Sequence, residues 1–188
     1  MIVEFRVKNF RSFRDEQILS FVATKNKTEQ VANVIPTGIN AVPNILSSTV
    51  IYGANASGKS NLIKAIQYMK AVVIGSATKK PDQAFKQQQF RLDAASKKQD
   101  SEFEATFLIE GVRYQYGFSL NSERITREYL LVYKSFKPQR WFDRTYNTET
   151  QKDEYEFSSS LKGKKSTWVE STRHNSLFLS MAVQLNSE

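Results

Sequence analysis

Gly53-Ala54-Asn55-Ala56-Ser57-Gly58-Lys59-Ser60 satisfies every specified position of the phosphate-binding pattern G-x-x-x-x-G-K-[ST]. The chemistry open to such a run is anion capture. Gly53 and Gly58 let the backbone turn tightly and approach a ligand with no Cβ in the way. Successive N–H groups can then converge on a phosphate. Lys59 is expected to reach the β- and γ-phosphates of a nucleotide, and the Ser60 hydroxyl to bind a magnesium ion. A nucleotide with Mg2+ is thus the expected ligand. The loop alone leaves open which nucleotide binds and what work hydrolysis drives.

Such a trap needs a strand to deliver the loop and a helix to receive it. Ser48-Thr49-Val50-Ile51-Tyr52 reads as a short buried strand. Leu62, Ile63, Ile66, Met69 and Val73 recur at helical spacing and predict a helix from about Lys59 to Ile74. The dipole of that helix favours negative charge at its start.

Composition bounds the rest. A chain of 188 residues with a 40% hydrophobic and 24% charged share can bury one substantial core. Cysteine is absent, which excludes disulfides and thiolate zinc sites. His174 is the single histidine, so a histidine-rich metal site is excluded as well. The opening Met1-Ile2-Val3-Glu4-Phe5 alternates like a strand and lacks a signal-peptide pattern. No apolar run approaches spanning length, so a cytoplasmic protein with no membrane partner is expected. The net charge of +8 favours polyanions, nucleic acid among them. Lysines such as Lys25, Lys27, Lys79, Lys97, Lys134, Lys137, Lys162 and Lys164 are nonetheless spread along the chain, the ordinary pattern of a solvated basic surface.

Ile2 to Val7 alternates, with Val3, Phe5 and Val7 on one face. A polar turn at 9–15 and a second strand at 17–23 follow. Residues 24–47 read as a long connection with a short strand near Val31 to Ile35. Residues 76–101 read as a linker, mobile up to Gln89. Phe103 to Ile109 and Val112 to Leu120 alternate around Glu110-Gly111, a hairpin signal. Further strands are expected at 125–134, 140–146 and 155–158, and a helix at 176–185. Antiparallel strands around the loop, without a βαβα rhythm, predict an α+β fold: an α/β P-loop core beside an antiparallel meander sheet. The whole chain is expected to be a single ATP-binding lobe.

Two tracts carry a family resemblance. Phe5-Arg6-Val7-Lys8-Asn9-Phe10-Arg11-Ser12-Phe13 resembles the N-terminal strand and turn of the SMC, RecF and OLD group of ABC-type ATPases. The loop extended to Asn61 resembles their G-x-N-[AG]-[SA]-G-K-S-N form. Within that group, Ile51 to Asn61, Gln89-Phe90-Arg91-Leu92-Asp93 and Asn175 to Asn186 most resemble bacterial RloA-like proteins, often filed under AAA ATPases and associated with phage defence. The resemblance implies the N-terminal lobe of an ABC-type head, acting in phage defence or DNA transactions. It implies ATP as the nucleotide, held by Gly53 to Asn61 with Arg11 and Ser12 beside the phosphates. It also implies that Gln184 meets the magnesium and the attacking water beside Lys59. A homodimer through composite ATP sites, a nuclease or effector partner and a nucleic-acid partner follow in the same way.

Other family parts are not found here. Leu46-Ser47-Ser48-Thr49 lacks the signature glycine, and His174 stands in the wrong order for a switch histidine. Phe107-Leu108-Ile109-Glu110 imitates a Walker B run, but Glu110-Gly111 reads as a hairpin turn. The chain is therefore expected to be the N-terminal part of a longer ATPase or a truncated form, binding ATP without turning it over alone. A non-hydrolytic nucleotide sensor remains the alternative. A nucleoside kinase would need a lid arginine cluster that the strands after the helix do not supply.

Overall fold

The computed structural model describes residues 1–24, 31–86 and 88–185. Lys25, Lys27 and Asn186 lie outside them. The elements are β1 (Ile2–Lys8), β2 (Gln17–Ser20), β3 (Val34–Ile39), β4 (Val42–Leu46), α1 (Lys59–Gly75), β5 (Ser101–Ile109), β6 (Val112–Leu120), β7 (Ile125–Tyr133), β8 (Gln139–Asn147), β9 (Lys152–Phe157), α2 (Lys165–Ser171) and α3 (Phe178–Leu185). One antiparallel sheet takes the order β2-β1-β5-β6-β7-β8-β9, and β3 pairs with β4 separately. This mixed α/β architecture with a large antiparallel sheet matches the expected class.

Alternation decides which face of the sheet is covered. Val3, Phe5 and Val7 are buried. Phe5, Val7, Phe103, Phe118, Val132 and Phe142 pack on Ala65, Met69 and Val72 of α1, Trp168 of α2, and Phe178 and Ala182 of α3. The β5–β6 hairpin forms as expected, with Ile109 opposite Val112. Glu110 at φ 49° and Gly111 at φ 74° make the two-residue turn whose twist suits the strands.

Five features differ from what the sequence predicts. Ser48 to Ala54 joins no sheet, and Val50, Ile51 and Tyr52 are exposed, Tyr52 to 88%. A strand needs a partner edge, and no described element offers one here. The second strand ends at Ser20 because the next residues bond to β4: the Leu46 N–H donates to the Phe21 carbonyl at 2.7 Å, and the Ala23 N–H to Asn44 at 3.1 Å. Pro43 argues against β4 in the sequence, but it faces β3 where the register shifts between Pro36 and Ile39, an irregularity at which a missing N–H is tolerated. Helix α2 carries no apolar period; a single anchor, buried Trp168, seats it.

The fifth difference is the linker. Asn175 Nδ2 donates to the Lys80 carbonyl at 2.8 Å and the Gln83 carbonyl at 3.0 Å. The Phe85 N–H donates to the Ser122 carbonyl at 2.7 Å, and the Phe85 side chain is buried. Fully buried Asn9 donates through Nδ2 to the carbonyls of Ser96 at 2.8 Å and Gln99 at 2.9 Å. Amides and carbonyls do this work, so hydropathy does not reveal it.

A buried polar cluster fixes the last helix. Glu128 on β7 accepts from the N–H groups of Phe178 at 2.6 Å and Leu179 at 2.9 Å, the start of α3. Tyr116 also donates to it, at 2.9 Å. Arg144 on β8, fully buried, donates to the Ser176 carbonyl at 2.6 Å and to Asp153 at 2.8 Å. Burial pushes the Glu128 carboxyl above the usual range, opposed by Arg144 and the two N–H donors. No helix among the described residues is long and apolar enough to cross a membrane.

Candidate nucleotide site

The loop is shaped by two left-handed residues, Ala56 at φ 65° and Gly58 at φ 98°. Gly58 caps α1 and accepts from the N–H groups of Asn61 at 2.8 Å and Leu62 at 3.2 Å. The first turn of α1 contains no acid, and no side chain caps it. Its leading N–H groups therefore have no anion from the helix's own first turn beside them.

Lys59 curls back over the loop. Its Nζ donates to the carbonyls of Gly53 at 2.6 Å and Ala54 at 2.7 Å, and lies 3.4 Å from the Ser57 hydroxyl. A Cβ at Gly53 would sit 2.8 Å from that hydroxyl, so Ser57 would have to turn its side chain to admit one. Asn55 and Ser60 are exposed, on the loop and in the first helical turn.

The N-terminal turn packs against this loop. A Cβ at Gly58 would lie 3.1 Å from the Phe13 ring and 3.2 Å from the Ser12 hydroxyl. Asn61 Nδ2 donates to Ser12 Oγ at 2.9 Å. Ser12 is thus brought to the loop, and the Asn61 amide is engaged with Ser12. Arg11 turns elsewhere: its N–H donates to the Gln88 carbonyl at 2.5 Å and its Nε to Gln88 Oε1 at 2.6 Å. The turn is held by Asn9 at φ 51° and Arg11 at φ 52°. Sequence reasoning did not single out Phe13, Asn9 or Gln88. Asn9 carried a local signal, because asparagine enters the left-handed region more readily than other residues with side chains.

Gln184 is placed apart from this group. It lies in α3 with Val73, Ile74 and Ala77, around a cavity of about 450 Å³. Ser180 Oγ donates to the Val73 carbonyl at 2.7 Å and seats α3 there. Ser60 opens α1, and the rise from it to Val73 is about 20 Å. The structure thus places Gln184 by the far end of α1 and does not bring it to Ser60. Glu128 fixes where α3 begins, and α3 then runs along the far end of α1.

The residues at the loop fit a nucleotide with magnesium: a lysine within the loop, a hydroxyl in the first turn, and N–H groups with no acid in that turn. They define a P-loop domain of the ATPase type. The family model described as "AAA domain, putative AbiEii toxin, Type IV TA system" matches residues 48–177, more than half of the chain, and the chain belongs to this family. No curated protein matches it.

Proposed function

We propose that the chain is the ATP-binding lobe of an ABC-type P-loop ATPase, nearest the SMC, RecF and OLD group and RloA-like in detail. The observation that supports this best is the Ser12–Asn61 bond with Phe13 against Gly58. It joins the N-terminal turn of the resemblance to the phosphate loop, although that turn lies outside the matched residues. The loop backbone and Lys59 hold the phosphates of ATP, and Ser60 holds magnesium. Bound, the ion and triphosphate supply a γ-phosphate open to attack by water. Ser12 stands beside the loop, and Arg11 is held one residue away by Gln88.

The exposed run Val50-Ile51-Tyr52 fits a further lobe that pairs with it. In the intact assembly two such heads enclose ATP as a homodimer in the cytoplasm. A role in phage defence, or the toxin–antitoxin setting of the family description, belongs to this reading, with a nuclease or effector as partner. A non-hydrolytic nucleotide sensor is the second reading. It is favoured by the place of Glu110, in a hairpin turn and not at a metal site.

Calorimetry with MgATP tests the proposal. Lys59→Ala should remove a charge-assisted contact of roughly 1.5–3 kcal/mol, which is tenfold or more in affinity. Equal affinity of the two chains would sink it. Steady phosphate release by the purified chain, abolished in Lys59→Ala, would remove the sensor reading.

A further inference from the structure

The strand register separates the two ends of the sheet. Lys8 lies opposite Glu102, Ser101 opposite Leu120, and Leu120 opposite Ile125, so the turn that meets the P-loop is at one end. Ile109 opposite Val112, Arg113 opposite Tyr133 and Val132 opposite Gln139 mark the other. The ends are about 30 Å apart along a nine-residue strand.

The far end carries Glu110 in the β5–β6 turn and Glu156 near the end of β9, but two of its segments gather cations with no acid of their own. Between Tyr133 and Phe142 stand Lys134, Lys137 and Arg140 and no acid; between Ser158 and Val169 stand Lys162, Lys164 and Lys165 and no acid. The two segments are adjacent: the Ser158 N–H donates to the Trp141 carbonyl at 3.1 Å, and Ser160 Oγ to Gln139 Oε1 at 3.4 Å. Lys134, Lys137, Lys162 and Lys164 are exposed. Arg140 is shared with Glu156 at 2.9 Å, and Lys165 donates to the Ser158 carbonyl, so these two contribute less.

Aromatic rings stand among the lysines. Phe136, at the tip of the β7–β8 loop, is 76% exposed. The half-buried Trp141 has the Lys134 ammonium 5.9 Å from its ring and Tyr114 edge-on at 6.4 Å. Tyr114 stacks in turn on Phe107, at 5.6 Å and 11°. Lysines give attraction to any polyanion, whereas an exposed ring beside them gives a platform for an unpaired base.

We propose that this end of the sheet, the β7–β8 loop with segment 158–165, binds single-stranded nucleic acid. The phosphates lie on the four exposed lysines and a base stacks on Phe136. The surface is independent of the nucleotide loop. Fluorescence anisotropy with a labelled single-stranded oligonucleotide tests it on the full chain. With about four phosphates neutralised, affinity should fall roughly fiftyfold between about 50 and 200 mM salt. Lys134→Glu with Lys137→Glu should weaken binding by about tenfold or more, and Phe136→Ala by roughly fivefold. Phe136 is a solvent-facing tip residue, and circular dichroism should show an unchanged fold. Lys59→Ala should leave the oligonucleotide affinity as it was. If Lys97→Glu with Lys98→Glu, at the opposite end, weakens binding as much, the site assignment is overturned. Equal binding of a polyglutamate peptide or of phosphatidylserine vesicles, indifferent to Phe136→Ala, would reassign the surface to an acidic protein or a membrane and overturn it too.

Discussion

Two helix N-termini in this molecule meet the same electrostatic demand in opposite ways. At α3 the leading N–H groups of Phe178 and Leu179 donate to the buried carboxylate of Glu128. At α1 the first turn has no acid, Gly58 caps without a side chain, and Lys59 lies over the loop. The first arrangement is closed: donors, acceptor and the neighbouring Arg144 are all internal. The second leaves donors and a cation at the surface for an anion from outside. Identical backbone chemistry thus serves architecture in one place and, in the proposed function, recognition in the other. The difference lies in whether the chain provides the anion itself.

The largest effect should come from opening the closed end. Arg144→Met removes the cation beside Glu128 and Asp153, and should cost about 3–5 kcal/mol of stability in urea unfolding. Nucleotide affinity of the folded fraction should be unchanged. A loss within experimental error would mean the cluster is not what holds α3.

At the open end, Gly58→Ala places a Cβ at φ 98° and against Phe13 and Ser12. That strain should cost about 1–3 kcal/mol and weaken MgATP binding together with stability, read by calorimetry and unfolding. A well-folded variant with intact affinity would show that the N-terminal turn can move freely.

Asn61→Ala is smaller. It deletes the bond to Ser12, worth about 0.5–1.5 kcal/mol. Hydrogen exchange at residues 10–14 should quicken while α3 stays as protected as before. Unchanged exchange would uncouple the turn from the loop.

The finest test is a slope against pH. Burial raises the Glu128 carboxyl, so its proton is bound more tightly folded than unfolded. The stability this contributes is complete below the ordinary carboxyl value, about 4.3, and is lost as pH rises through the raised folded value. Between those values Glu128→Gln should lose less stability than the parent chain as pH rises. Parallel curves would place the titration elsewhere.

Much of the candidate site was legible because it is contiguous. A loop of eight residues, a helix with its apolar stripe and a hairpin with a two-residue turn each carry their signal within a short window. Gln184 was placed apart from the loop for the converse reason. Its context in the chain was right, but its position depends on where α3 docks, and Glu128 and Ser180 decide that. Ser48 to Tyr52 looked buried because its residues are apolar, yet burial needs a neighbour that composition cannot supply.

By itself, then, the order of residues determined the glycine-rich loop, the helix after it, the alternation of β1, β5 and β6, and the antiparallel class. These follow from spacing, turn chemistry and periodicity, which act over a few residues. Alternation did not settle what covers each face: Val3 and Leu108 pack with Val42 and Ile45 in a cluster apart from Phe5 and Val7. Tertiary structure alone decided that Ser12 and Phe13 stand against Gly58, that Asn9 and Asn175 hold the 76–101 strap, that Glu128 takes the start of α3, and that two distant lysine segments share one end of the sheet. Each of those is a contact between residues far apart in the chain, made by polar groups or loops that carry no period. Only the closing of the sheet and the docking of helices on it bring them within reach.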